Sequence, residues 1–311
     1  MNKSILFVLL LTPFFLGSAQ ASSVGLTVDD YGLSFGNSRQ LTGIRINAVD
    51  RFVRNVNGIN ITLWTPGDNP NFIMNGIAVG LVAPSARRIN GLALGGIAVA
   101  ADRIDGLAIG GIGLGVDKIN GIALGGIGLG GDIVNGFAAG LIGVGCDTLS
   151  GVGIGGIGIG ADVIHGIAIG GIGTGANEIK GIAIGGLGAG AENIEGLVIG
   201  GIGAGAESIK GIAIGGIGVG AKEINGFTLA GFGIGGEYIN GLQIAGIGIK
   251  AEILKGVKIA PYCHATEDMI GVSIGLLNIA EYLKGLQIGV INIAKNNPAP
   301  FKVLPLINYH K

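Results

Sequence analysis

Apolar, small and polar residues follow one another along most of this chain in a fixed fifteen-residue cycle. The copy starting at Gly211 reads Gly-Ile-Ala-Ile-Gly-Gly-Ile-Gly-Val-Gly-Ala-Lys-Glu-Ile-Asn. Near-copies begin at Gly76, Gly91, Gly106, Gly121, Gly136, Gly151, Gly166, Gly181, Gly196, Gly226, Gly241 and Gly256. Numbered from that glycine, positions 2, 4, 7 and 14 are mostly Ile, Leu or Val, and position 9 is a small or medium apolar residue. Positions 1, 3, 5, 6, 8, 10 and 11 are mostly Gly or Ala, and polar residues collect at 12, 13 and 15. A short fixed period means one structural unit stacked on itself.

The unit is not helical, because five or six glycines in fifteen residues would each cost a helix about 1 kcal/mol relative to Ala. Its local rule is alternation, as in Ile212-Ala213-Ile214 and Ile217-Gly218-Val219, which is the signature of a strand. The alternation slips by one residue between Ile214 and Ile217. A flat strand would there turn its apolar side chains to the opposite face, whereas a corner at Gly215-Gly216 keeps every isoleucine pointing inward. The phrase divides into three sides of five residues. The expected fold is all-β: a parallel β-solenoid of three-sided, roughly 15-residue coils with a cap at each end. An antiparallel β-meander or an outer-membrane β-barrel is the alternative, since an eleven-residue Gly/Ile strand is long enough to cross a membrane. The single rather than double period and the slip in mid-strand count against the barrel.

Divergent copies at Gly43 and Gly58 extend the array upstream, and Gly271 and Gly285 extend it downstream. The eighteen-residue step from Gly58 to Gly76 contains Thr65-Pro66-Gly67-Asp68-Asn69-Pro70, a loop signal. The array therefore spans 43–294 with roughly seventeen units, between an N-terminal cap at 22–42 and a C-terminal cap at 295–311. Residues 1–21 read as a secretory signal: Lys3, an apolar run from Ile5 to Leu16, and Ala19-Gln20-Ala21 as the cleavage site. The expected location is outside the cytoplasm: periplasm, cell surface or outer membrane, or the medium.

Position 3 is polar near the ends of the array, at Arg45, Asn60, Gln243, Lys258, Ser273 and Gln287, and alanine in the middle. That contrast suggests that position 3 faces outward, and that Ala93, Ala108, Ala123, Ala168, Ala183 and Ala213 form a smooth interaction face. A membrane surface, a second copy or a surface polymer would be its partner.

The stretch Gly285-Leu286-Gln287-Ile288-Gly289-Val290-Ile291-Asn292 resembles the GLQIGLIN unit of certain bacterial secreted surface-repeat proteins. Leu304-Pro305-Leu306-Ile307-Asn308-Tyr309 is similar to the closing segment of those proteins, and Gly58-Ile59-Asn60-Ile61-Thr62-Leu63-Trp64 to a segment near their start. The central units depart from the pattern, with Gly or Ala in place of Gln and Asn. The resemblance implies a repeat protein outside the cytoplasm. It carries no catalytic motif.

Composition narrows the chemistry. Glycine accounts for 66 of 311 residues, charged residues for 13%, and the formal net charge is −1. No Lys/Arg cluster offers a nucleic-acid footprint. Asp102, Asp117, Asp132, Asp147 and Asp162, followed by Glu192 and Glu207, recur at position 12. Stacking would bring them about 5 Å apart, close enough to consider Ca²⁺, although the calcium-binding nonapeptide pattern is not matched and turn residues on a wet side account for them better. Cys263, His264, Glu267 and Asp268 form the only chemically rich stretch and a weak transition-metal candidate. The two cysteines, Cys146 and Cys263, are 117 residues apart. Eight coils at about 4.8 Å would separate them by roughly 38 Å, so both are expected to be free thiols. No nucleophile–base pair stands out, and the Gly-x-Gly phrases are not phosphate loops because no helix follows them. The expectation is a non-enzymatic protein without cofactors, structural or adhesive in role. Membrane association is the alternative, and an ice- or polysaccharide-binding surface is a weaker one, because Thr62, Thr174 and Thr228 form no ladder.

Overall fold

The computed structural model describes residues 23–65 and 69–311. The expected signal segment 1–21 lies outside these residues, as do 66–68 of the predicted loop. Every described element is a β-strand, and coil stacks on coil through parallel pairing, giving a β-solenoid. Among the described residues pairing is antiparallel only at two hairpins, so the meander and the barrel are set aside. Two compact units divide the chain, up to Gly110 and from Gly111 onward.

In the first unit, β1 (Ser23–Val28) and β2 (Tyr31–Gly36) form an antiparallel hairpin. Strand β2 then pairs in parallel with β3 (Gln40–Asn47). The stack continues through β4 (Asn55–Thr62), β5 (Ile73–Gly80), β6 (Ser85–Gly95) and β7 (Ala98–Gly110). Gly32 pairs with Gly43 and already has the positive φ of a first-position glycine. Stacking thus begins one coil earlier than the sequence spacing suggests.

In the second unit, strands β8 (Gly113–Gly125) to β15 (Gly218–Ala230) are thirteen residues long, each matched to the next at an offset of fifteen, as in Gly151↔Gly166. Shorter strands follow: β16 (Gly233–Gly235), β17 (Tyr238–Ala245), β18 (Gly248–Ala251) and β19 (Ile253–Ile259). Strand β20 (Tyr262–Ala294) carries the last coils, and β21 (Val303–His310) folds back antiparallel upon it.

Each coil turns at three places. Gly-Ile at positions 6 and 7 is a bend, position 12 drops out of the pairing register between Cys146↔Ala161 and Thr148↔Val163, and position 1 has φ near +130°. Gly211 shows why position 1 is invariant within the array: its φ is +132°, and a Cβ there would lie 2.2 Å from the carbonyl oxygen of Gly196. An L side chain meets both backbone strain and a backbone collision.

The corners fall within one or two residues of where the sequence places them, but the isoleucines at positions 2, 4 and 7 face outward. Ile212 is 42% exposed and Ile217 51%. The core is built instead from position 14 (Ile119, Leu149, Ile164, Ile179, Ile209), the medium-sized residue at position 9, and the residue at position 3. Geometry explains the inversion. A five-residue side is about 16 Å long, and backbone lines all three sides, so the interior has room for about three side chains, as with Ala108, Leu114 and Ile119 in one coil. Placing three further isoleucines inside would overpack it.

Candidate functional site

The alanines expected to form an interaction face are interior. Ala93, Ala108, Ala123, Ala168, Ala183 and Ala213 are all fully buried. The polar residues at position 3 are buried too, so their polarity reports an interior network rather than an outer surface. In the first unit Arg45 is ion-paired with Asp50 at 2.5 Å and donates to Asn60 Oδ1 at 2.8 Å, and Asn60 donates to Asp50 Oδ2 at 2.8 Å. In the second, Gln243 Nε2 donates to Gly226 O at 3.0 Å. Lys258 Nζ donates to Gly241 O at 3.1 Å, to Lys255 O and to Gln243 Oε1. Three oxygen acceptors match the three N–H bonds of an ammonium. Burial nonetheless brings the Lys258 pKa down to about 7.

The outer surface of the second unit carries what the sequence seemed to place inside. Position 7 presents Ile112, Ile127, Ile142, Ile157, Ile172, Leu187, Ile202, Ile217, Phe232 and Ile247 in consecutive coils, each between 48% and 56% exposed. These side chains sit at the bend, one per coil, and successive bends are tied by backbone hydrogen bonds such as Ile157 N to Ile142 O at 2.7 Å. The result is a continuous apolar ridge. Soluble monomers rarely expose contiguous apolar patches beyond a few hundred Å² unless something binds there. Beside the ridge lies a bare strip. Position 10 is glycine from Gly115 through Gly235, and a Cβ added at Gly115, Gly130, Gly145 or Gly160 would meet nothing within 4 Å. The strip closes at its C-terminal end, where Lys250 and then His264 take over the glycine's place.

The remaining candidates separate. Asp102 is exposed in the first unit; Asp117, Asp132, Asp147 and Asp162 are exposed in the second, all at the position 12 corner. Asn177 continues the file and donates to Asp162 Oδ1 at 3.3 Å, and further on Lys222 pairs with Glu207 at 2.6 Å. Among the described residues no group of three or more His, Cys, Asp or Glu side chains is placed to hold a metal ion. Cys263 and His264 are not brought together. Cys263 points into the core, with its Sγ 3.6 Å from Ala260 O, and burial raises its pKa to about 11. His264 lies on the outer face with Nδ1 3.0 Å from the Tyr262 hydroxyl; partial burial, with Lys250 next in importance, lowers its pKa. Both cysteines are free, and burial, reinforced by Asp147 and Asp162, raises Cys146 to about 11. Neither thiol is an activated nucleophile, which would need a lowered pKa. Thr62, Thr174 and Thr228 are buried, so none contributes to an outer threonine surface. Among the described residues, a groove of the first unit lined by Arg39, Phe52, Arg54 and Asn69 has no carboxylate, thiol or imidazole in its lining.

Sequence spacing hides the ridge, because isoleucine is the residue expected to point inward. Position 14 carried the corrective signal. It is apolar between polar neighbours at 13 and 15, and strict alternation from there puts 3 inside and 2 and 4 outside. No family model, curated protein or solved structure matches this chain.

Proposed function

We propose that this chain is an exported, non-enzymatic repeat protein that acts structurally or adhesively outside the cytoplasm, with the outward isoleucine ridge of its second unit as the working surface. The observation that carries the reading is the ridge: ten successive coils hold a large apolar side chain half exposed at the same position. Burying one such side chain stabilises a contact by up to about 1.5–3 kcal/mol, so a file of them is a strong association surface. The signal-like residues 1–21 support export. The separation of Cys263 from His264, and the raised pKa values of both thiols, support a role without catalysis.

The test is fractionation of the native organism, comparing the natural chain with a variant carrying Ile157→Lys, Ile172→Lys and Ile202→Lys. The natural chain is expected in the cell-envelope fraction and the variant in the soluble periplasm or medium. Cytoplasmic recovery of the natural chain, or a variant that stays with the envelope, overturns the proposal.

A further inference from the structure

We infer that the ridge of the second unit is a self-association surface, and that two copies pair side by side with the ridge of each seated in the glycine strip of the other. The inference rests on the surface role proposed above and names its partner.

Three observations favour a second copy. The first is shape. Ridge and strip are neighbours on one flank, at positions 7 and 10, and share nine coils, from Ile112 to Phe232 and from Gly115 to Gly235. Both repeat once per coil, so two copies are commensurate along their whole length. A two-fold axis parallel to the stack puts each ridge over the other copy's strip and leaves both position 12 corners at the rim. Such an interface is isologous and closes as a dimer. The second observation is area. Ten half-exposed large side chains leave on the order of 1,000 Å² of apolar surface per copy, against about 800 Å² per partner in a standard stable interface. The third is charge. The corner bordering the strip carries Asp117, Asp132, Asp147, Asp162, Glu192 and Glu207. Anionic lipid attracts basic rims, and this rim is predominantly acidic.

The experiment is sedimentation equilibrium on the chain purified after export. The natural chain is expected at twice the monomer mass. Two independent variants are expected at monomer mass with unchanged far-UV circular dichroism: the ridge variant above, and a strip variant, Gly145→Leu with Gly160→Leu. The strip variant keeps the fold because the added side chains enter open space. A control on another side of the coil, Ile212→Ser, remains a dimer. A natural chain of monomer mass, a strip variant that still dimerises, or a monomer that floats with mixed phosphatidylethanolamine and phosphatidylglycerol vesicles overturns the inference. A monomeric natural chain whose ridge variant still leaves the envelope fraction overturns self-association alone. A dimer whose ridge variant stays with the envelope overturns the surface role alone.

Discussion

Position 3 decides inside from outside, and its residues make the inversion testable. Ala168 is fully buried while Ile172 is half exposed. Ala168→Leu forces extra volume into a filled interior and should cost about 1–3 kcal/mol. Ile212→Ser, on a side of the coil away from the ridge, removes an outward side chain and should cost less than about 1 kcal/mol. Thermal unfolding of the two variants reads the contrast, and the reverse ranking would show the isoleucines to be the core. Lys258 provides a second measurement. Its folded pKa is about 7 against a usual 10.5. Below pH 7 the lysine is charged in both states, and the full cost of burying that charge is present. Between pH 7 and about 10.5 the unfolded chain binds the proton that the folded chain has released, so stability rises with pH. Lys258→Met should remove that rise, because no group at the position then titrates. Melting temperatures from pH 6 to 10 check it: a natural chain with no rise, or a variant that retains one, would contradict the assignment. At this scale the sequence misleads for a physical reason. Buried polar residues are conventionally read as surface residues, and only the hydrogen bonds of Gln243 and Lys258 to backbone carbonyls of neighbouring coils reveal otherwise.

At the scale of the coil, the sequence is far more legible. The period, the parallel stacking and the bend at positions 6 and 7 all follow from the placement of Gly and the slip in alternation. Irregular coils obey the same plan. Pairing through Tyr262 runs at an offset of fourteen and pairing through Met269 at fifteen, so one residue is lost at the first corner and one regained at the second. Sides keep their parity because corners absorb the change. The C-terminal cap is equally specific. Strand β21 covers the last coil in antiparallel sense, held by Asn297 Nδ2 to Asn308 Oδ1 at 2.8 Å, and carries Pro305 and the positive-φ Leu306. Proline cannot donate to a further strand, and an irregular edge discourages one. Removing residues 303–311 should expose the bare edge of β20 and convert a clear solution into one that scatters light over hours at micromolar concentration. A truncated chain that stays clear would show that β21 does not protect the edge.

For the molecule as a whole, the all-β solenoid is readable from spacing alone, whereas the face that carries the exposed isoleucines is not. The face depends on which of two parities the strands adopt, and a fifteen-residue composition is nearly indifferent between them. What breaks the tie is volume: the residues at positions 3, 9 and 14 already fill a coil. The antiparallel closure by β21 then has a consequence for how such a gene changes length. New coils cannot be appended beyond β21, because its sense of pairing differs from that of the stack. Growth has to come from within, by duplication of a stretch encoding one whole coil, three bases for each of about fifteen residues. Any such duplication lengthens ridge and strip together and preserves their match. Recombination between neighbouring repeats would thus yield a series of alleles graded in the length of the exposed isoleucine ridge.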